Sequence, residues 1–372
     1  MLRSRRIRVL VGLIVFAGAA LSVAIWRARS LQRTSKVYAW FPDGRVEDVS
    51  PEAGTYYQSC IHPNGTDVIF AGAETGPPRI FRTDFSSLVP KPLTPADSAA
   101  FLATYSWDGT RIVFSSDRDF PGRSIGVEEI PDPRLYRPGT RGGDRHRYFS
   151  LYIMDADGSN VRRITTGEHR DLRGSFSPDG RTIVFFSDRS YETPLWTVPA
   201  DGSAEPTPIP VEGNERWTAF RPWYSLDGET IYFFGSRKGI ADRKRILFLP
   251  VTGGRPHTLP WDDRGKTQGP FIDGTGRNLL FHSTRTGRAE LYEYPLDGDE
   301  GRMLVPPLDP SLPEDREVMH PTRSKNGVVT FDISLKTYSP LDARLYGWHI
   351  KARKLFWRVR KFAWKHFGIG ER

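Results

Sequence analysis

One pattern recurs along the 372 residues and leaves few folds open: a turn glycine followed by an alternating apolar run. "GSFSPDGRTIVFFSDRS" begins at Gly174, and "TYSWDGTRIVFSSDRD" at Thr104 repeats its layout. "CIHPNGTDVIFAGAETG" from Cys60, "WYSLDGETIYFFGSRKG" from Trp223, "FIDGTGRNLLFHSTRTG" from Phe271 and "TRSKNGVVTFDIS" from Thr322 are further copies. Their turn glycines are Gly65, Gly109, Gly180, Gly228, Gly276 and Gly327, spaced by 44, 71, 48, 48 and 51 residues. The one long interval marks an insertion, at about residues 119–148, in an otherwise regular period.

A second hairpin pattern follows each of the first five. "IFRTDFSSLVPKPLT" starts at Ile80, "LYIMDADGSNVRRIT" at Leu151 and "LWTVPADGSAEPTPI" at Leu195, with "ILFLPVTGGRPHTL" at Ile246 and "LYEYPLDGDEGRMLV" at Leu291. Aromatic and β-branched residues alternating around a glycine turn are what an antiparallel hairpin needs. Two hairpins per repeat make a four-stranded sheet that cannot bury both faces alone. Radial stacking of such sheets solves that problem, and the result is a β-propeller.

The two ends of the series complete each other. The last first-type hairpin, near Gly327, has no second hairpin after it, whereas "VYAWFPDGRVEDVS" (residues 37–50) stands alone before the first complete repeat. Together they form one blade, so the sequence predicts an all-β fold of six four-stranded antiparallel blades. The ring is closed by the N-terminal hairpin, which removes the open sheet edges. Gly 35 and Pro 30 fit a chain of many short strands and turns.

The repeats "FSPDGRTIVFFSDR", "YSWDGTRIVFSSDRD" and "LYIMDADGSNVRRIT" resemble those of TolB-type propellers. The resemblance covers roughly residues 36–335. It implies the fold strongly and function only weakly, because the shared residues are those that build blades. Related repeats occur in the propeller domains of prolyl oligopeptidases and in some polysaccharide lyases. In TolB itself a separate α/β domain precedes the propeller, and the segment before residue 37 is too short to be one.

Charge distribution bears on partners. The net charge is +9, but residues 1–36 hold +8 and residues 341–372 hold +7, leaving the body at −6. An acidic body excludes a nucleic-acid footprint, and two basic ends point to a membrane. After Arg3, Arg5, Arg6 and Arg8, residues 9–26 ("VLVGLIVFAGAALSVAIW") carry no charge. As a helix this stretch reads as either a retained signal-anchor or a cleaved signal peptide, and the body is expected outside the cytoplasm in both cases. The expected domains are thus 1–35 (anchor or signal), 36–340 (propeller) and 341–372. In the last segment, Leu345, Trp348, Ala352, Leu355, Phe356, Val359 and Phe362 recur at steps of three and four among Lys351, Lys354, Arg358, Lys361 and Lys365. That pattern is a basic amphipathic helix flanked by Trp357 and Trp364, suited to an anionic membrane or a partner. Its contact residues are expected to be Trp348, Lys354, Phe356, Trp357, Arg358, Lys361 and Trp364.

Motifs with catalytic connotations reduce to simpler readings. Gly122-Arg123-Ser124-Ile125-Gly126 matches the nucleophile-elbow spacing, but Asp119-Phe120-Pro121 before it and a Pro- and Arg-rich stretch after it do not supply the strand and helix the elbow requires. "DADGS" at Asp155 lacks the later ligands of a calcium loop and reads as a tight turn. Ser187-Asp188-Arg189 and its copy Ser116-Asp117-Arg118 recur by blade, which argues for hydrogen bonding at strand ends. Cys60, the one cysteine, reads as a buried small residue. Of the eight histidines only His169, His282 and His320 fall where they could face one end of the ring, without a metal-ligand spacing, so no metal or cofactor is expected.

The segments leading into the first strands should line the channel mouth. Seven residues before each turn glycine stand Gln58, Leu102, Arg173, Arg221, Gly269 and His320, with Tyr57, Asp171, Trp217 and Gln268 nearby. Gln58, Arg173, Arg221, Gln268 and His320 are the candidate ligand-binding set, suited to an acidic peptide, a carboxylate or an anionic glycan. The expectation is a membrane-tethered, non-enzymatic scaffold of the bacterial envelope, in the periplasm or otherwise outside the cytoplasm, that binds a protein or envelope polymer. The alternative is a lyase-like, carbohydrate-active propeller with its site at the channel mouth.

Overall fold

The computed structural model describes residues 33–120 and 148–336, apart from Glu168, 191–193, 213–216, 238–243, 260–264, Asp299 and 314–315. The stretch 9–26 expected to serve export, the core of the insertion with its Ser124 motif, and the helix expected at 341–372 lie outside the described residues. No helix of the described residues is long and apolar enough to cross a membrane.

Two strands come first, β1 (Arg33–Trp40) and β2 (Val46–Asp48). Blade 1 follows with β3 (Thr55–Ile61), β4 (Asp67–Ala73), β5 (Arg79–Asp84) and β6 (Pro90–Pro92). Blade 2 holds β7 (Ala100–Tyr105), β8 (Arg111–Ser116), β9 (Ser150–Asp155) and β10 (Arg162–Arg163). Blade 3 holds β11 (Leu172–Phe176), β12 (Thr182–Phe186), β13 (Leu195–Pro199) and β14 (Thr207–Pro208). Blade 4 holds β15 (Trp217–Tyr224), β16 (Thr230–Arg237), β17 (Arg245–Pro250) and β18 (His257–Thr258). Blade 5 holds β19 (Thr267–Ile272), β20 (Asn278–Ser283), β21 (Glu290–Pro295) and β22 (Arg302–Leu304). The last strands of the described residues are β23 (Glu317–Arg323) and β24 (Val329–Lys336).

Five sheets pair their strands in chain order, and the sixth runs β2-β1-β24-β23. The N-terminal hairpin therefore completes the last blade. Within this blade Ser35 donates its hydroxyl proton to the carbonyl of Ile333 at 3.3 Å, and Tyr38 stacks on Phe331. The first strands β3, β7, β11, β15, β19 and β23 touch one another in turn and close a ring around the channel.

The apolar run of each second strand explains how the blades stack. Phe70, Phe114, Phe185, Phe233, Phe281 and Phe331 hold corresponding places on β4, β8, β12, β16, β20 and β24, and all are fully buried. Second strands have neighbours on both edges and both faces, so they read as continuous apolar runs rather than strict alternations.

Charged latches supplement this packing. Arg323 on β23 reaches into blade 5, donating to Asp273 at 2.7 Å and to Glu293 at 2.5 Å. Tyr105 of blade 2 donates to Asp67 of blade 1, which Arg82 also pairs at 2.9 Å. The recurring Ser-Asp-Arg has a similar scaffolding role in blade 3. Ser187 and Arg189 both donate to the buried Asp171, at 2.7 and 2.6 Å, and Asp188 accepts the Arg170 N–H. In blade 2 Asp117 accepts the Ala99 N–H at 2.7 Å.

Candidate functional site

Every first strand breaks register with its second strand at the same place. The slips lie between Tyr57 and Cys60, Phe101 and Thr104, Leu172 and Ser175, Phe220 and Trp223, Gln268 and Phe271, and Met319 and Thr322. Within each slip one residue takes the left-handed conformation: Gln58, Leu102, Arg173, Arg221, Gly269 and His320, with φ from 52° to 70°. These are the six residues that stand seven before the turn glycines. Five of them are not glycine, and each such conformation costs on the order of 1–3 kcal/mol unless its surroundings hold it.

What holds some of them is a side chain from the neighbouring blade. A bulge withdraws its N–H from the strand ladder. The Gln58 N–H donates to Asp332 on β24 at 2.7 Å, the Arg173 N–H to Ser115 on β8 at 3.3 Å, and the His320 N–H to His282 on β20 at 3.4 Å. Ser115 and His282 stand six residues after their turn glycines, and Asp332 is their structural counterpart at the ladder position opposite Met319. In the other blades that place belongs to Ala71, Phe186 and Phe234, which cannot accept a hydrogen bond.

Asp332 is the centre of this arrangement. It is fully buried, accepts the Ser59 N–H at 3.4 Å besides that of Gln58, and meets His320 Nδ1 at 2.6 Å. The His282 and His320 rings meet edge to face at 5.1 Å. Burial pushes the Asp332 carboxyl up to about 7, against the pull of the backbone N–H groups and of Arg221. The buried Tyr57 hydroxyl is raised by burial and by Asp332, with Arg173 opposing.

Gln58, Arg173 and Arg221 come together on one small cavity, which Cys60, Thr104 and Trp223 also line. Arg173 and Arg221 are each only 9% exposed, so they sit inside the channel rather than around an open mouth. Gly269 has no side chain, and a Cβ there would stand 3.1 Å from His282 and 3.2 Å from Arg221 Nη1. His320 joins the cluster through Asp332. Gln268 faces His282 across the β19–β20 ladder and does not line the cavity. His169 sits apart, at the outer connection where its carbonyl accepts the Phe149 N–H. Among the described residues no three His, Cys, Asp or Glu side chains are grouped to hold a metal.

The raised Asp332 carboxyl makes stability depend on pH in a definite direction. In the folded chain the group keeps its proton to about pH 7, whereas the unfolded chain releases it near the ordinary aspartate value of 3.8. Its contribution is full below pH 3.8 and fades as pH rises to about 7, because the folded form binds the extra proton in that window. The folded-to-unfolded ratio of the native chain relative to Asp332→Asn is expected to fall, by up to about tenfold per pH unit, across this window. It should level off above it. Because His320 shares the contact, the step belongs to the pair. Denaturant titrations of both proteins between pH 4 and 8 check this, and a constant ratio would contradict it.

Six four-stranded blades, closed by a strand exchange between the two chain ends, define a β-propeller. A family model described as TolB beta propeller domain matches residues 140–299. A protein TolB homolog of Chlorobium chlorochromatii is 26% identical over 147 residues, covering 34% of this chain and 32% of the relative. The Tol-Pal system protein TolB of Bordetella pertussis is 45% identical over 53 residues, covering 14% and 12% respectively. The solved structure of a putative TolB from Agrobacterium tumefaciens superposes with a TM-score of 0.60 at 16% identity, over 82% of this chain and all of that one. The chain thus carries repeats similar to those of TolB-type β-propellers, matched by the family model over residues 140–299. It spans less than half the length of the curated relatives it matches.

Proposed function

We propose that the chain is an exported, non-enzymatic binding scaffold of the bacterial envelope, tethered by residues 9–26 and presenting one face of the disc to a protein partner. The observation that carries this reading is the placement of the insertion. It joins β8 to β9, and connections between second and third strands emerge on the face where the first strands begin. The one long departure from the repeat therefore leaves and re-enters its blade on the side where the first strands begin. Its base is anchored: Phe120 packs on Tyr148, and Arg163 pairs with Asp119 at 3.1 Å. Long loops on rigid scaffolds are where binding function concentrates.

The Bordetella relative, named for the Tol-Pal system, supports an envelope protein as partner over a polymer. The charge-free stretch 9–26 and the basic helix expected at 341–372 support membrane attachment. The same reading makes Gln58, Arg173, Arg221, Gln268 and His320 supports of the binding face.

Cross-linked pull-downs from detergent-solubilised envelopes test the proposal, using the intact chain, a chain with 119–148 shortened to a four-residue turn, and one ending at residue 340. Shortening the insertion is expected to reduce capture of a discrete partner at least tenfold, while the blade fold, read by circular dichroism, is kept. Undiminished capture would refute the role of the insertion. If the chain ending at residue 340 captures the same partners as the intact one and stays in the membrane as fully, the reading of the C-terminal helix fails.

A further inference from the structure

A second cavity, of about 350 Å³, lies between blade 5 and the last blade. It is lined from the turns that follow β19, β23 and β1, on the side where the first strands end and away from the base of the insertion. Trp40 and Phe41 of the N-terminal hairpin, Leu304 of β22 and Val329 of β24 form its apolar lining. Two lining residues depart from the repeat. One turn hydrogen bond, common to all six blades, places Phe41 where the others carry Asp84, Asp155, Pro199, Pro250 and Pro295. In the turns between first and second strands, Lys325 stands where the others carry Pro63, Trp107, Pro178, Leu226 and Gly274.

Most polar groups of the cavity are spent on one another. The fully buried Asp273 accepts from Thr275 and Arg323, each at 2.7 Å, and from Asn278 at 3.0 Å. Arg323 and Arg302 share the buried Glu293, so two guanidinium groups match two carboxylates. What remains is Lys325, whose ammonium donates to no described residue, and the Trp40 indole N–H, which likewise has no acceptor among them. Asn278 turns its Nδ2 to Asp273, which leaves its Oδ1 as an acceptor that no described residue uses. The surplus is therefore a cation, an indole donor and an amide acceptor beside an apolar wall.

We infer that this cavity receives the C-terminal residue of a partner peptide, one with an aromatic or branched apolar side chain. Such a residue carries all the complements at once: a carboxylate for Lys325, its own N–H for Asn278 Oδ1, and a side chain for Trp40 and Phe41. An internal apolar residue lacks the carboxylate, and an acidic residue lacks the apolar group. The site stands apart from the insertion and from the partner proposed for it.

The intact chain in detergent is titrated into a dye-labelled peptide ending in Gly-Ser-Gly-Phe with a free carboxylate, and into the same peptide as its C-terminal amide. Fluorescence polarisation should show saturable binding of the free acid. The amide should bind about tenfold more weakly, and Lys325→Glu should weaken binding of the acid by about as much or more, since each removes a charge-assisted hydrogen bond. A peptide ending in glycine should also lose about tenfold, through the missing apolar contact. Shortening residues 119–148 should leave this binding unchanged. Lys325 is exposed, so the variant should keep the native circular dichroism spectrum. If it does not fold, the comparison of acid with amide on the unaltered chain decides. Equal affinity for acid and amide, undiminished binding by a folded Lys325→Glu, or no saturable binding at millimolar peptide would each overturn the inference.

Discussion

Deleting residues 33–50 is expected to abolish the cooperative unfolding transition of the propeller. The deletion leaves the last blade with β23 and β24 alone and opens the outer edge of β24. It also removes the fully buried Val37, Ala39 and Val49, and Phe41, which packs edge to face on Phe85 of blade 1. The larger of these side chains each contribute about 1.5–3 kcal/mol by burial, against a typical domain stability of about 5–15 kcal/mol. The Val49 carbonyl also accepts the hydroxyl of buried Thr83 at 2.7 Å, so blade 1 loses a hydrogen bond as well. Placing residues 33–50 after Lys336 through a short glycine-serine linker should restore the transition, because Ser35 already touches Ile333. Circular dichroism melts of the three proteins check this. A truncated chain that melts at the native temperature with native steepness would disprove it.

Asp332→Ala is the single substitution expected to cost most, about 3–5 kcal/mol. It leaves the Gln58 and Ser59 N–H groups without their acceptor in a water-poor channel, and each such loss costs about 1–3 kcal/mol. It also removes the carboxyl that meets His320 Nδ1 at 2.6 Å and that favours the charge of Arg221 once it ionises near pH 7. Asp332→Asn, whose amide oxygen can still accept from Gln58, should lose less than half as much. Urea midpoints of the two variants provide the measurement. A loss below about 1 kcal/mol for the alanine variant would show that the channel geometry does not rest on this carboxylate.

The blades and their closure could be read directly because they are written in repetition. Six turn glycines and the unmatched hairpins at 37–50 and 322–334 leave one way to pair the ends. The channel cluster was readable only in part. Counting back from the turn glycines found Gln58, Arg173, Arg221 and His320, yet nothing in their identities announces a left-handed backbone, which only Gly269 suggests by composition. Gln268 belongs to the candidate set only by its adjacency to Gly269, and it occupies the ladder opposite His282 rather than the cavity wall. Asp332 falls outside that count because the "NGVVTFDIS" turn is one residue shorter than its counterparts, so the spacing that aligns Ser115 with His282 lands on Ile333 in the last blade. A carboxylate in a second strand, flanked by Phe331 and Ile333, was the available signal.

The pairing of β1 with β24 also has a mechanical meaning. Ser35 lies by Ile333 and Tyr38 by Phe331, so the two strands run in opposite directions and the chain arrives and departs at the same end of the pair. Tension applied to the two chain ends would therefore load the hydrogen bonds of this pair one after another, as in opening a zipper, rather than all together in shear. The first blade to yield under pull would be the one that depends on both ends of the chain, and the other five, each built from consecutive strands, would be spared until it had opened.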